Sequence, residues 1–205
     1  MFDGNMRDQV DRGLEPIGEA LRSVGISADV VTITGIAMST AAAITIGSGR
    51  LAWGLVLMVL TGVPDALDGA VAKASGTSSL RGAYFDSVSD RLTDIILFGG
   101  VAWYLSEARD NQIHMLPVAV MGVGLMISYQ RAKAESLGFD AKGGLMERAE
   151  RFIALGVGLF LGAFDDTLLI IVLWIMFALT AATAVQRFVK VWRQATAEGQ
   201  RRPAD

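Results

Sequence analysis

The sequence predicts an all-α protein, an integral membrane bundle of six transmembrane helices preceded by an amphipathic helix at the membrane interface. Three observations support this prediction. The 205-residue chain has a mean hydropathy of +0.44 and 52% hydrophobic residues, which is more apolar than an ordinary soluble domain. It contains six apolar stretches of about twenty residues, the length that crosses a hydrocarbon core. Its basic residues are also distributed very unevenly among the connections between these stretches.

The six predicted spans are separated by segments rich in turn-forming or charged residues. They cover residues 30–48, 51–72, 84–106, 115–136, 149–165 and 167–189. An even number of crossings puts both termini on one side, and sixteen of the eighteen Lys and Arg residues fall on that side. Only Arg50 and Arg109 fall on the other. Because cytoplasmic loops collect basic residues, we expect both termini to be cytoplasmic in a multi-pass protein of the cell membrane.

The first 26 residues show the periodicity of an amphipathic helix. Their apolar residues recur every three or four positions, with charges between them: Val10, Leu14, Ile17, Leu21 and Val24. Such a helix lies in the membrane interface or supports the bundle by packing on it, and the two roles are compatible. We therefore predict a juxtamembrane helix over 1–26, a membrane domain over 27–192 and a cytoplasmic tail over 193–205.

The residue types restrict the chemistry that the chain can perform. It has no cysteine, and His114 is its only histidine. Thiolate nucleophiles, sulfur-bound zinc, imidazole clusters and His-based triads are therefore excluded. Any bound metal must be held by oxygen atoms, which favours Mg²⁺ or Mn²⁺.

Four aspartates interrupt the apolar pattern. Asp65 and Asp68 are three residues apart near the end of the second span, and Asp86 and Asp90 are four apart near the start of the third. Each pair shares a helix face, and ionised side chains within spans usually mark function. If the connection folds the two spans back antiparallel, the four carboxylates converge. Their repulsion is then relieved by protonation or by divalent cations.

We favour two cations, because no basic residue is interleaved among the four aspartates at contact spacing. Taken singly, Asp65 or Asp86 also fits a charged helix cap or a solvated loop, but the whole set fits that alternative far less well. Gly69 and Gly82 fit the cation hypothesis, since a missing side chain lets a phosphate approach the backbone, although tight helix packing would also require glycine.

Residues 65–90 also match the pattern D-x2-D-G-x2-A-R-x8-G-x3-D-x3-D. The matching positions are Asp65, Asp68, Gly69, Ala72, Gly82, Asp86 and Asp90. On these residues the chain resembles the CDP-alcohol phosphatidyltransferase family. It departs from the pattern at Lys73, where the family has Arg, so the positive charge is kept but the bidentate fork is lost.

The resemblance implies an enzyme that transfers a phosphatidyl group from CDP-diacylglycerol to an alcohol and releases CMP. It implies two Mg²⁺ ions, with Mn²⁺ as an alternative, held by Asp65, Asp68, Asp86 and Asp90. Asp90 would also be the general base on the acceptor hydroxyl. Asp94, one turn further on, is interpreted as a supporting residue. The residues expected to bind the CDP-lipid are Asp29, Val30, Val31, Thr32, Gly69, Lys73, Ser79 and Gly82.

The second half of the chain bears on the acceptor. Residues 127–138, 143–151 and 184–192 resemble stretches of phosphatidylinositol-phosphate synthases from actinobacteria and their archaeal relatives. Their basic residues fall at predicted cytoplasmic ends of separate spans, where they would bind a phosphate on the acceptor: Arg131, Lys133, Arg148, Arg151 and Arg187. Inositol phosphate is the expected acceptor, and glycerol 3-phosphate is the nearest alternative. The same residues also fit ordinary positive-inside flanks, and Glu147 and Glu150 are alternative partners for Arg148 and Arg151.

A divalent-cation transporter is the alternative from another class, because intramembrane aspartates also line ion paths. A through path requires acidic residues across the bilayer, whereas the third span after Asp94 and the second span before Asp65 carry no charge. A dead-end pocket facing the cytoplasm fits this distribution better. We further expect contact with membrane lipids, a homodimer and no nucleic acid partner.

Overall fold

The computed structural model describes residues 27–74, 80–109 and 112–201. Within these ranges all regular structure is helical, with no strand, which confirms the predicted all-α class. The elements are α1 (Ala28–Gly47), α2 (Leu51–Ala74), α3 (Leu80–Ala108), a 3-10 turn (Gln112–His114), α4 (Met115–Ser136), α5 (Arg148–Gly162) and α6 (Asp166–Arg201). The predicted amphipathic helix over 1–26 lies outside the described residues.

Each predicted span falls on one of these helices, and among the described residues three helices meet both the length and the apolarity that a crossing requires. These candidate spans are Asp29–Gly47, Gln112–Ser136 and Asp166–Glu198. Helix α5 has 15 residues and is therefore about 22 Å long, shorter than a hydrocarbon core of about 30 Å. Helix α3 carries several charged residues in its first half. Helix α6 continues past residue 192 without a break.

Local hydrogen bonds account for where the helices begin and end. At the start of α1 the Ser27 hydroxyl accepts the Val30 N–H at 3.4 Å, and at the start of α6 the Asp165 carboxylate accepts the Thr167 N–H at 2.8 Å. Both contacts satisfy backbone donors that a helix N-terminus leaves open. The turn between α1 and α2 is short because Gly49 adopts a φ of 83°, which a glycine adopts without strain.

The chain forms two compact units, Met1–Gly100 and Val101–Asp205. In the first unit α1 packs against α2 and also contacts α3 closely where Ala43 faces Gly100. In the second unit α6 packs against both α4 and α5. Large apolar side chains of α5 and α6, including Leu159 and Leu173, are fully buried there. Each unit thus has its own apolar core.

The contact between α1 and α3 predicts opposite outcomes for two adjacent glycines. A Cβ at residue 100 would lie 2.6 Å from the Ala43 carbonyl oxygen and 2.7 Å from its Cα, whereas a Cβ at residue 99 would have no atom within 4 Å. Backbone atoms cannot give way as a side chain can. We expect Gly100→Ala to lower the free energy of unfolding by about 1–3 kcal/mol and Gly99→Ala to leave it unchanged or raised. Thermal unfolding in detergent measures both, and equal midpoints would contradict the contact.

Candidate active site

Three acidic residues follow one another at one-turn intervals along α3. Asp86, Asp90 and Asp94 therefore share a face of the helix. Asp86 is exposed and the other two are partly buried, with 18% of the Asp90 side chain accessible. Two of the predicted metal ligands, Asp86 and Asp90, thus share one face of α3 with the predicted supporting residue Asp94.

Asp90 has a basic neighbour that was not expected from the sequence. The Arg91 guanidinium lies 3.5 Å from the Asp90 carboxylate and also donates to the Ser87 carbonyl at 2.6 Å. The expectation that the aspartates have no basic residue at contact distance is therefore wrong for Asp90. Bound cations are favoured instead by the residue types and by their helical spacing.

The other predicted metal ligands belong to α2. Asp65, Asp68 and Gly69 lie within its helical backbone, the two aspartates at the predicted three-residue spacing. The side chains of Asp65, Asp68 and Lys73 are not among those that the structure describes. Ser79 also lies outside the described residues. Among side chains that the structure does describe, no three acidic, His or Cys groups form a metal-binding cluster. The convergence of the four aspartates remains a prediction.

The donor set itself fits a hard divalent cation. All four predicted ligands are carboxylates, and the chain has no cysteine and a single histidine. Carboxylate oxygens are the ligands that Mg²⁺ and Mn²⁺ take in proteins. The chemistry of these residues is thus consistent with the metal that the sequence predicts.

The predicted CDP-lipid residues on α1 and α3 are brought together by an ion pair. The Arg81 guanidinium donates to the Asp29 carboxylate at 2.6 Å, although the two residues are 52 positions apart in sequence. Asp29 to Thr32 form the first turn of α1, and Gly82 lies in the first turn of α3. Arg81 was not predicted as a site residue. Its position directly before Gly82 was the only sequence signal.

The five predicted acceptor-binding residues differ in exposure. Arg131 and Lys133 are exposed on α4, and Arg131 donates to Glu135 at 2.9 Å. Arg148, at the start of α5, is partly buried. Arg151 and Arg187 are each only 4% exposed. Two of the five are thus interior residues, which an ordinary positive-inside flank would not require.

Arg187 is held by three different segments of the second unit. It donates to the Ile127 carbonyl of α4 at 3.1 Å, to the Gly143 carbonyl at 3.1 Å and to the Glu147 carboxylate at 2.9 Å. Glu147 thus pairs with Arg187, a partner that was not expected from the sequence. The charges of Arg131 and Arg151 are also close enough to act on this guanidinium. One carboxylate and two further guanidinium groups thus lie near this buried group.

Several buried polar atoms of the second unit have no hydrogen-bond partner among the described residues. They are Gln130 Oε1 on α4, Glu150 Oε2 on α5 and Arg187 Nε on α6. Buried polar groups in proteins are nearly always paired, so unpaired atoms point to a water or a ligand. Gln130 was missed in the sequence, because a single glutamine in an amphipathic segment gives no signal.

Comparison with known proteins places these features in a family. Residues 26–192 match the family model described as CDP-alcohol phosphatidyltransferase. The phosphatidylinositol phosphate synthase of Streptomyces avermitilis is 35% identical, over 89% of this chain and 79% of the relative. The archaetidylinositol phosphate synthase of Methanothermobacter thermautotrophicus is 34% identical, over 92% of this chain and 93% of the relative.

Solved structures of the Mycobacterium tuberculosis phosphatidylinositol phosphate synthase are also similar. The form with CDP-DAG bound has a TM-score of 0.83 at 32% identity, covering 88% of this chain and 94% of that one. The form in complex with manganese and citrate has a TM-score of 0.82, covering 87% and 88%. The chain therefore belongs to the CDP-alcohol phosphatidyltransferase family and is a metal-dependent transferase of phospholipid biosynthesis.

Proposed function

We propose that the protein transfers the phosphatidyl group of CDP-diacylglycerol to inositol phosphate, giving phosphatidylinositol phosphate and CMP. The observation that carries the acceptor assignment is the burial of Arg151 and Arg187, each 4% exposed. A buried guanidinium that protein acceptors hold in place is a fixed positive charge, which is the kind of group that binds a substrate phosphate. An acceptor with no anionic group would not need these basic residues.

The relatives support the same acceptor and donor. Two similar proteins named for inositol phosphate products cover nine tenths of this chain, and a similar structure was solved with CDP-DAG bound. Because the family is one of enzymes, the transporter alternative loses its support.

The proposed chemistry assigns a role to each set of residues. Two divalent cations, Mg²⁺ or Mn²⁺, would be held by Asp65, Asp68, Asp86 and Asp90 and would neutralise the diphosphate of the CDP-lipid. The acceptor hydroxyl loses its proton to Asp90 as its oxygen bonds to the phosphorus of the phosphatidyl group. The bond from that phosphorus to the CMP oxygen breaks, and CMP leaves.

Donor binding is assigned to the first turns of α1 and α3. The first turn of α1, Asp29 to Thr32, is proposed to contact the nucleotide, with Arg81 fixing the Asp29 carboxylate through the 2.6 Å contact. Gly69, Lys73, Ser79 and Gly82 complete the proposed donor site, where Lys73 supplies a point charge to a phosphate.

Acceptor binding is assigned to the basic residues of the second unit. Arg131, Lys133, Arg148, Arg151 and Arg187 would bind the acceptor phosphate. Gln130 Oε1 and Glu150 Oε2, which are buried and unpaired in the described part of the chain, would accept hydrogen bonds from polyol hydroxyls. Such acceptors distinguish a polyhydroxylated ring from an acceptor with few hydroxyl groups.

The proposal includes the membrane arrangement. Six spans with both cytoplasmic termini would put sixteen of eighteen basic residues on the cytoplasmic side of the cell membrane, where the active site opens. The domain limits are kept as predicted, 1–26, 27–192 and 193–205, and a homodimer is included in the proposal.

An acceptor assay tests the proposed reaction. Purified protein is given CDP-diacylglycerol with inositol phosphate, glycerol 3-phosphate or unphosphorylated inositol in separate reactions, and released CMP is measured. We expect release with inositol phosphate and little with the other two. Release with glycerol 3-phosphate but not with inositol phosphate would overturn the acceptor assignment, and reactions without any acceptor give the background.

Substitution of Asp90 tests its role as the base. Asp90→Asn keeps the size of the side chain but cannot take a proton, so we expect the turnover rate to fall by about 10²- to 10⁴-fold. The folded variant should still bind CDP-diacylglycerol, which a binding measurement on the purified protein checks.

The matched control is Asp94→Asn, one turn further along α3. We expect a smaller loss there, because Asp94 is proposed to support the site without contacting substrate. If Asp94→Asn abolished turnover while Asp90→Asn retained it, the two assignments would be reversed.

A further inference from the structure

One face of α6 carries four polar side chains that all contact the α4–α5 loop, residues 137–147. The four are Thr183, Arg187, Lys190 and Gln194. Their spacings of four, three and four residues place them on a single helix face. Arg187 is already part of the proposed acceptor site, whereas Lys190 and Gln194 have no role in the reaction as described so far.

Gln194 and Lys190 hold the first half of the loop. The Gln194 side chain donates to the Asp140 carbonyl at 2.7 Å and accepts the Asp140 N–H at 3.0 Å, so one amide satisfies both backbone groups of one residue. Lys190 donates to the Asp140 carboxylate at 2.7 Å and to the Lys142 carbonyl at 2.9 Å. Four bonds from two side chains fix this part of the backbone.

Thr183 and Arg187 hold the second half of the loop. The Thr183 hydroxyl accepts the Met146 N–H at 2.9 Å, and its methyl group lies against Gly144, where a Cβ would clash with it. The Arg187 guanidinium contacts the Gly143 carbonyl and Glu147. The loop therefore follows the helix along its whole polar face.

The loop conformation has a cost that these contacts offset. Gly143 and Gly144 have φ values of 92° and 156°, a region that residues with a side chain rarely adopt. Glycine-rich segments lose much conformational entropy on ordering. Without the bonds from α6, the loop would sample many other conformations.

The loop leads directly into the proposed acceptor-binding residues. Glu147 is the N-cap of α5 and Arg148 its first residue, while Arg151 is one turn further on. The Arg151 guanidinium lies over Gly124, where an added Cβ would come within 3.2 Å of Nε and Cζ. The start of α5 therefore sets where these guanidinium groups are presented.

The Asp140 contact persists across the physiological pH range. Its hydrogen bond from Lys190, followed by that from the Lys142 N–H, lowers the pKa of the Asp140 carboxyl below its ordinary value of 3.8. The carboxylate therefore remains ionised at neutral pH, and its ion pair with Lys190 is lost only as the pH falls below 3.8.

From this geometry we infer that Lys190 and Gln194 are positioning residues for the acceptor phosphate, acting through the α4–α5 loop on Arg148 and Arg151. The inference rests on the proposed function, because it assumes that these arginines bind the acceptor phosphate. Neither residue contacts substrate.

The test compares the Michaelis constants of the two substrates. In Gln194→Ala we expect the KM for the acceptor to rise about tenfold, because Arg148 and Arg151 would be displaced from the acceptor phosphate. The KM for CDP-diacylglycerol and kcat should stay within about twofold of the wild-type values. Lys190→Met should likewise raise the acceptor KM and leave the other two constants unchanged. Lys190→Arg, which keeps hydrogen-bond donors at this position, should have an acceptor KM close to that of the wild type. The matched control is Gln186→Ala, an exposed glutamine on the same helix, which should change neither constant.

A second readout needs no turnover. Hydrogen exchange of the Asp140 and Met146 amides reports whether the loop has opened, and protection of residues 148–151 by added inositol phosphate or inorganic phosphate reports binding. We expect faster loop exchange in Gln194→Ala and a higher phosphate concentration for protection.

The outcomes separate the inference from the proposed function. If the wild-type protein uses glycerol 3-phosphate, the assignment of inositol phosphate as acceptor fails. The variants are then compared by their KM for glycerol 3-phosphate, which should rise while the KM for CDP-diacylglycerol and kcat stay constant. The inference is overturned if the loop opens without any change in acceptor KM, if both Michaelis constants rise together, or if no phosphate compound protects residues 148–151 in the wild type.

Discussion

A charged side chain buried among apolar helices needs a matching partner, and this constraint accounts for the contacts of Arg187 in the second unit. Water is scarce in such surroundings, so an unmatched charge is costly. In the second unit the Arg187 side chain, 3% exposed, meets two carbonyls and the Glu147 carboxylate. The proposed cations extend the same requirement to the aspartates of α2 and α3.

The constraint also relates the fold to the chemistry of the family. Phosphate-containing substrates are anions, so a site for them needs fixed positive charge whose own solvation is already replaced by protein groups. Arg187 meets this condition, because protein acceptors hold its terminal nitrogens while its Nε is left buried and unpaired within the described part of the chain. The α4–α5 loop supplies part of that support through Gly143 and Glu147. In the proposed function the α4–α5 loop, which is far from the aspartates in sequence, therefore contributes to acceptor recognition.

The positions of the helices could be predicted from the sequence, but the contacts between their side chains could not. Long apolar stretches are a property averaged over about twenty residues, so the positions of α1 to α6 could be predicted without tertiary information. Arg187 could not be recognised as buried, because a positive-inside flank, a phosphate ligand and an interior anchor have the same sequence pattern. The contact between Glu147 and Arg187 could not be predicted for a related reason: it depends on the path of the loop. The basic neighbour of Asp90 was not expected because helix-face periodicity says nothing about the adjacent residue Arg91.

The proposed binding of divalent cations by the four aspartates is tested most directly by the divalent-cation dependence of CMP release. Purified protein is assayed with CDP-diacylglycerol and its acceptor, first in excess chelator and then after Mg²⁺ is restored, for the wild type and for Asp86→Asn. We expect release to stop in chelator and to return with Mg²⁺ in the wild type. The variant should require more Mg²⁺, because one proposed carboxylate ligand is lost. Full turnover in excess chelator would contradict it.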